Sequence, residues 1–472
     1  MTTATAPEQQ HPAPPGLRVV NTVLVLPSSS DSAPPAPPES SLPLTYFDIF
    51  WLHSPPVERV FFYRLAPDAD VDAIVSNLRN SLSEAVRAFY PLAGHLRLAP
   101  GTTNRYELYY RPGDGVAFTV ADYDGADIDS LATDDPKEVA KIAPLVPPLP
   151  EGGAVLALQA TLLSARRGLA LGVAVHHAAC DGAASTHFLH TWAWAATCRD
   201  DGAQAPPPPP PPVIDRSLLP DPRGLYDIFF QGVPSTDELE FVKMSPDQLL
   251  ATFTLSKDDL QRVKDAVAGE AARRGVAPPR CSSLVATFGF VWWCYQRAKE
   301  EAGHGDEQPT CLLFPVDHRS RMKPPLPEKY LGNCVGPAFG LAPKGELAAA
   351  GAGGLLSACA AVAAAIDEAV SGIGTPSVDA WMERIREVGA MGTLSVAGSP
   401  RFGVYGLDFG FGRPAKVDIV SVAKTGAVGV AESRSGGGGG GMEVGVSLQP
   451  AGMDRFRKCF ADAIASAAVE LI

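Results

Sequence analysis

Hydrophobic residues recur along the chain with two periods, and this alternation predicts a mixed α/β protein. Strand-like runs occupy residues 17–26, 57–65, 92–98, 106–110, 154–163, 169–177, 311–316, 417–422 and 442–448. Helical spacing marks residues 70–90, 184–195, 282–300 and 349–370, and a capped helix begins at Ser256. Because strands are repeatedly interrupted by helices, we expect layered α/β domains with mixed sheets.

The best defined local unit is a hairpin followed by a helix. Two apolar strands flank a turn at residues 164–168. In the second strand, alternate residues from Leu169 to Val175 share one face, and His177 continues that parity while His176 points the other way. The pattern therefore predicts two histidines at the end of a strand, just before a helix.

Two low-complexity tracts punctuate the chain. Residues 206–212 are seven consecutive prolines, which form an extended spacer and cannot enter a core. We place a linker at 201–226, between an N-terminal domain (1–200) and a C-terminal domain (227–472); recognition by a proline-binding module is the alternative. The six glycines at 436–441 lie at a predicted hairpin tip, without the helix and lysine that a phosphate loop needs.

Charge and cysteine usage exclude several classes of function. The chain has 472 residues with a net charge of −13, which opposes a broad nucleic-acid footprint and attraction to anionic membranes. We find no secretory signal and no apolar stretch of about 18 residues, so we expect no membrane segment. The eight cysteines form no Cys-x-x-Cys pair, which favours neither zinc nor disulfides and fits a reducing, cytoplasmic compartment.

The segment from His177 to Gly182 is the main candidate for chemistry. A histidine at a strand end can act as a general base because its pKa lies near working pH. Asp181 could contact His177 or pair with a distant cation. A polar turn and a metal ligand remain alternatives, although no further ligands are indicated. Serine-hydrolase, Walker and Rossmann patterns are absent, and Cys180 fits a packed residue better than a nucleophile.

The same segment resembles the His-x-x-x-Asp-Gly motif of the plant BAHD acyl-CoA-dependent acyltransferases. Asp408, Phe409, Gly410 and Gly412 match that family's Asp-Phe-Gly-Trp-Gly motif, with Phe411 in place of the usual Trp. Residues 330–334 are similar to the Tyr-Phe-Gly-Asn-Cys signature of the branch that acylates flavonoid and phenolic glucosides. Further similarity lies at 44–48, 57–63, 91–94 and 398–402.

The resemblance implies a fold and a reaction. The fold would be two domains like chloramphenicol acetyltransferase, joined by a long crossover loop at the proline tract. Acyl-CoA and an alcohol acceptor would enter a channel between the domains from opposite sides, with no metal or other cofactor. The protein would be a monomer without nucleic-acid or membrane partners.

The resemblance also implies roles for particular residues. His177 would take the proton of the acceptor hydroxyl in a direct ternary complex. Asp181 would point away from the channel and pair with an arginine, which by position is Arg319. The motif at Asp408 would be structural, so Phe411 affects packing. Some relatives use an indole N–H at the position of Ser399, whose hydroxyl could replace it or simply belong to a turn.

The implied function is transfer of a malonyl group from malonyl-CoA to a sugar hydroxyl of a flavonoid or phenolic glucoside. A hydroxycinnamoyl-CoA donor is the second hypothesis, and a non-catalytic binding protein on the same fold is the third. A malonyl carboxylate needs a cation or several donors near His177. His53 and Arg401 are the candidates that the sequence offers.

Overall fold

The structure, a computed structural model, describes residues 15–28, 37–197, 207–233, 244–299, 307–349, 351–373, 375–434 and 440–469. The strands in these ranges are β1 (Leu17–Val25), β2 (Ser40–Pro43), β3 (Val57–Arg64), β4 (His95–Leu98), β5 (Tyr106–Tyr110), β6 (Val116–Tyr123), β7 (Lys137–Glu138), β8 (Leu156–Leu163), β9 (Gly168–Val175), β10 (Leu249–Leu255), β11 (Pro309–Asp317), β12 (Val335–Pro343), β13 (Leu394–Gly398), β14 (Lys416–Ile419), β15 (Val428–Glu432) and β16 (Met442–Leu448). The α-helices are α1 (Tyr46–Ile49), α2 (Val71–Ala88), α3 (Ile128–Leu131), α4 (Val139–Ile142), α5 (Gly182–Thr197), α6 (Leu225–Gly232), α7 (Lys257–Arg273), α8 (Ser283–Lys299), α9 (Lys344–Ala348), α10 (Ala352–Gly372), α11 (Trp381–Gly389), α12 (Val422–Thr425) and α13 (Pro450–Val469).

The N-terminal half is built on a six-stranded sheet in the order β1-β6-β8-β9-β3-β14. The sheet is mixed, because β6 and β8 run parallel while the other neighbours are antiparallel. Both faces are covered: Phe61 and Tyr63 of β3 join one apolar cluster, and Val60 and Phe62 join another. Burial on both faces explains why the inner strands β3, β8 and β9 read as continuous hydrophobic runs, whereas the edge strand β1 is largely exposed.

The C-terminal half contains a seven-stranded sheet in the order β12-β11-β13-β15-β16-β10-β7. Here β13 runs parallel to both β11 and β15, so this sheet is also mixed. Its core combines residues of α7, α8, α10 and α13 with the strands. The expected fold class, two α/β domains with mixed sheets, is therefore confirmed.

The two halves exchange strands, which the sequence did not predict. β14 pairs with β3 in the N-terminal sheet, and β7 pairs with β10 in the C-terminal sheet. The exchanged strands also meet each other, because Lys137 Nζ of β7 lies 2.6 Å from the buried carboxylate of Asp418 in β14. The division at 201–226 stays a prediction, but each sheet needs a strand from beyond that linker.

The linker itself touches both halves where the structure describes it, from residue 207 onward. His187 Nε2 of α5 lies 2.8 Å from the carbonyl oxygen of Pro210. Val213 then forms a parallel bridge with Tyr330 of the C-terminal half. Most of the glycine tract lies outside the described residues.

Several sequence-based boundaries were wrong. The run at 92–98 begins within a 3-10 helix (Tyr90–Ala93), and only His95–Leu98 is a strand. Pro91 lies in the first turn of that 3-10 helix, where its fixed φ favours a helical start. The run at 417–422 ends as a strand at Ile419 and continues into α12.

Helix α10 corrects the expectation that no apolar stretch reaches membrane-spanning length. By length and composition alone, Ala352–Gly372 is long and apolar enough to cross a membrane. Gly353 and Gly354 lie within the helix, whereas Gly351 precedes it as the N-cap residue. Leu355, Cys359 and Val362 are buried in the C-terminal core, so the helix packs within this domain.

Candidate active site

His177 lies in a tight turn, not on the strand that the hydrophobic alternation predicts. β9 ends at Val175, and the backbone N–H of His176 donates to the carbonyl oxygen of Val155, 2.9 Å away. The chain then reverses, with the N–H of Ala179 donating to the carbonyl oxygen of His176 at 3.0 Å. The strand parity therefore does not decide where the His177 imidazole points, whereas the turn does.

Residues from both halves hold the imidazole of His177. The indole of Trp51 stacks on it, with ring centroids 3.8 Å apart and planes 13° from parallel. On the other half, Asn333 Oδ1 lies 3.2 Å from His177 Nδ1. Trp51 and Asn333 thus contact the same ring, although 282 positions of sequence separate them.

The orientation of the Asn333 amide follows from its other partners. Its Nδ2 donates to Asp48 Oδ1 and to the carbonyl oxygen of His177, both at 2.9 Å. Both partners are acceptors, so the amide nitrogen must face them and Oδ1 must face His177. An acceptor opposite Nδ1 requires a hydrogen on Nδ1, which leaves Nε2 with a free lone pair.

The site favours a neutral imidazole. Burial lowers the pKa of His177, against smaller raising effects of a hydrogen bond to its own backbone and of Asp181 and Asn333. Burial and the neighbouring His177 and His53 lower the pKa of His176 to about 4. Burial also raises the pKa of Cys180 to about 12, so this thiol is not a ready nucleophile.

Asp181 turns away from His177 and joins the two halves. Arg319 NH1 lies 2.8 Å from Asp181 Oδ2, and Arg319 NH2 lies 3.0 Å from Oδ1. The same carboxylate accepts the backbone N–H groups of Ala184 and Cys334, each at 3.0 Å. Burial alone would lower the pKa of Arg319, but the Asp181 carboxylate raises it above its usual value. The ion pair implied by the resemblance is present.

The motif at Asp408 forms a self-contained turn. Asp408 Oδ1 accepts the N–H groups of Gly410 and Gly412, at 2.8 and 3.0 Å. The buried Phe409 ring packs on Trp192, with centroids 4.7 Å apart, and Phe411 packs edge-on against Tyr63 at 5.0 Å. The turn leads directly into β14, the strand that crosses to the N-terminal sheet.

The remaining candidates lie at the edges of this region. Ser399 Oγ accepts the backbone N–H of Arg401 at 3.2 Å, as in a local turn. The Arg401 side chain is exposed, whereas Phe402 packs against Gly182. His53 is partly buried, and burial lowers its pKa, which makes it a poor cation at neutral pH.

Sequence reasoning did not single out Asp48, Trp51, Asn333 or Arg216. The first three lie within or next to stretches that carry the family resemblance. A charged or amide residue between buried apolar neighbours is the signal that could have identified Asp48 and Asn333. Within the described ranges, no group of three or more His, Cys, Asp or Glu side chains is arranged to hold a metal ion.

A family model described as the Transferase family matches residues 21–463. Phenolic glucoside malonyltransferase 1 of Arabidopsis thaliana is 34% identical over 470 residues, covering 93% of this chain and 96% of that protein. The chain belongs to the BAHD acyltransferase family. Members of this family are acyltransferases that use acyl-CoA as co-substrate, and this BAHD protein is an acyltransferase.

Other relatives of the BAHD protein differ in the donor that their names give. The malonyl-CoA:anthocyanidin 5-O-glucoside-6''-O-malonyltransferase of Arabidopsis thaliana is 33% identical, covering 91% of this chain and 95% of that protein. A coumaroyl-CoA:anthocyanidin 3-O-glucoside-6''-O-coumaroyltransferase of the same plant is 29% identical, covering 89% of this chain and 92% of that protein.

A solved structure supports the fold of the BAHD protein. Vinorine synthase superposes with a TM-score of 0.69 at 21% identity, covering 93% of this chain and 96% of that one.

Proposed function

We propose that this BAHD acyltransferase moves a malonyl group from malonyl-CoA to a sugar hydroxyl of a phenolic or flavonoid glucoside, with His177 as the general base. The observation that carries the chemistry is the contact of the His177 imidazole with Trp51 from one half and with Asn333 Oδ1 from the other. From the orientation of the Asn333 amide we infer a hydrogen on Nδ1 and a free lone pair on Nε2. The substrates are inferred from the names of the relatives.

The reaction would use His177 twice. Nε2 accepts the proton of the acceptor hydroxyl while the oxygen attacks the thioester carbonyl, forming a C–O bond and a tetrahedral oxyanion. When that intermediate collapses, the C–S bond breaks and the Nε2 proton can pass to the departing CoA sulfur. A lowered pKa supports this cycle, because the imidazole is neutral at the start of each turnover.

Asp181 and Arg319 would act by shaping the loop and not by touching substrate. The Asp181 carboxylate is fully engaged by the guanidinium and two backbone N–H groups. It therefore has no hydrogen bond to spare for the imidazole, and a pairing with Arg319 keeps His177 from being held as a cation.

The identity of the donor needs a direct comparison, because coumaroyl transferases are also among the relatives. Ser399, His53 and Arg401 offer little support for a malonyl carboxylate, as described above. The test measures kcat/KM for malonyl-CoA and p-coumaroyl-CoA with one flavonoid glucoside. We expect malonyl-CoA to be preferred about tenfold or more, equivalent to at least one charged contact.

The opposite preference would replace malonyl-CoA by a hydroxycinnamoyl-CoA donor and leave the role of His177 intact. An unglucosylated flavonoid serves as the matched acceptor control and should not be acylated. Turnover of the unglucosylated acceptor at an equal rate would contradict the sugar hydroxyl as the acylated group.

A further inference from the structure

Asp48 is a carboxylate buried in the protein interior. It is connected to the imidazole of His177 through a single residue, Asn333. Its side chain has no exposed surface, and neither has that of Asn333. Asp48 Oδ1 accepts both the backbone N–H and the side-chain Nδ2 of Asn333, each at 2.9 Å. A buried carboxylate is costly unless its oxygens are well satisfied, so this arrangement calls for an explanation.

The second oxygen of Asp48 is fixed independently of Asn333. Asp48 Oδ2 accepts the backbone N–H of Thr45 at 2.8 Å and the Thr45 hydroxyl at 2.7 Å. The buried guanidinium of Arg216 lies 3.5 Å from the same oxygen and donates to the Tyr330 hydroxyl at 2.8 Å. Oδ1 therefore cannot rotate away, and it presents a permanent acceptor to the amide of Asn333.

We propose that Asp48 is a positioning residue that sets the tautomer of His177 through Asn333. A carboxylate accepts hydrogen bonds and cannot donate them, so only the Nδ2 end of the Asn333 amide can face it. The Oδ1 end is then forced towards His177 Nδ1. This inference rests on the proposed role of His177, because it explains why Nε2 is the free nitrogen.

In Asp48→Asn the new amide keeps its oxygen towards the donors of Thr45 and Arg216 and turns an NH2 group towards Asn333. That NH2 group opposes the remaining hold of the His177 carbonyl oxygen on Asn333 Nδ2 and favours turning the Asn333 amide over. With the amide turned over, Asn333 would present N–H groups to His177 Nδ1 and favour the tautomer that carries its hydrogen on Nε2. That tautomer has no lone pair on Nε2 with which to accept the proton of the substrate hydroxyl. Its population would lower kcat while the binding of acyl-CoA stayed nearly unchanged.

The test compares Asp48→Asn with Thr45→Val. Thr45→Val removes one hydrogen bond to Asp48 Oδ2 but leaves the Oδ1 contacts with Asn333 in place, so it serves as the matched control. We expect Asp48→Asn to lower kcat at least about tenfold with little change in KM, as for other groups that hold a histidine tautomer. Thr45→Val should retain most of the wild-type kcat.

A spectroscopic readout separates a tautomer effect from general damage. In the protein labelled with ¹⁵N-histidine, the two ring nitrogens of His177 report which one carries the hydrogen; His177→Ala identifies the signals. We expect the Nδ1–H tautomer in the wild type and Thr45→Val, and a new Nε2–H population in Asp48→Asn.

A double mutant adds a second test, in which kcat is measured for the folded fraction of each variant. Asn333→Ala removes the link, so adding Asp48→Asn should then lower kcat by less than about twofold more. Additive losses, or an unchanged His177 tautomer in Asp48→Asn, would overturn the role of Asp48. If instead His177→Ala remained active, the proposed function itself would fail, whatever the tautomer.

Discussion

The two family motifs, at residues 177–182 and 408–412, each contain an aspartate, but the two aspartates have different kinds of partner. Asp181 bonds to Arg319, 138 positions away, and its oxygens lie buried between the halves. Asp408 bonds to N–H groups two and four positions further along its own turn. A short motif with an aspartate can therefore fasten distant parts of the chain or merely shape a turn, and the partners decide which.

The difference has a consequence for energetics. A buried charge that loses its partner leaves an uncompensated ion, whereas a half-buried turn carboxylate that is lost exposes N–H groups that water can reach. The loop of His177 should therefore be sensitive in both stability and rate, and the turn of Asp408 mainly in stability. Substitutions at His177, Asp181 and Asp408 and one pH profile test this difference between the two aspartates.

The largest effect should come from His177→Ala. Removal of a positioned general base is expected to lower kcat by about 10²–10⁴ while the unfolding temperature stays nearly the same. His190→Ala is the matched control, because His190 lies on the following helix, where its Nε2 is 3.0 Å from the carbonyl oxygen of Phe402. If the His177→Ala enzyme kept about a third of the wild-type kcat, His177 would not be the general base.

Asp181→Ala should have the largest effect on stability. It leaves Arg319 buried without its main partner, so we expect the free energy of unfolding to fall by about 3–5 kcal/mol. Asp317→Ala is the control: Asp317 also contacts Arg319, at 3.3 Å, but its side chain is 50% exposed. That control should cost about 1 kcal/mol or less. The free energy of unfolding is measured by denaturant titration. If Asp181→Ala and Asp317→Ala lowered it equally, Asp181 would not be the buried partner on which Arg319 depends, and the contrast with Asp408 would be lost.

Asp408→Ala should destabilise the protein by about 1–3 kcal/mol, because two N–H groups lose their acceptor. The kcat of the folded fraction should stay within about threefold of wild type if the turn is structural. Asp408→Asn keeps an oxygen that can accept both bonds, so its unfolding temperature should lie close to that of wild type. A large loss of kcat with unchanged stability would place Asp408 in the chemistry.

The smallest effect is a shift of the acid limb of the kcat/KM pH profile below the usual histidine pKa. Burial lowers the pKa of His177 below its usual 6.5, so the imidazole stays neutral and able to accept a proton at that pH. The acid limb of kcat/KM should therefore reach half its plateau below pH 6.5, and Asp408→Asn should leave it in place. A midpoint above pH 6.5 would show that a nearby charge, such as Asp181, stabilises the imidazolium.

Local signals in the sequence were sufficient for much of the architecture. Ser256 caps α7 through Asp259, and the hairpin of β8 and β9 forms where two apolar runs flank a short turn. These elements depend on contacts within a few residues or between neighbouring strands, so pattern alone predicts them. The exchange of β7 and β14 depends on pairing between remote segments, for which short strands give little signal.

By itself, the sequence determined the α/β class, the family motifs and the presence of His177, Asp181 and Arg319. Which atoms these residues face depends on how the folded chain packs. The turn after β9, and not the strand period, orients His177, while Asn333 contacts its ring from a distant position and Asp48 in turn holds Asn333. Sequence periodicity records which side of an element is buried, but a hydrogen-bond partner depends on how separate elements pack, and that is fixed only when the two halves come together.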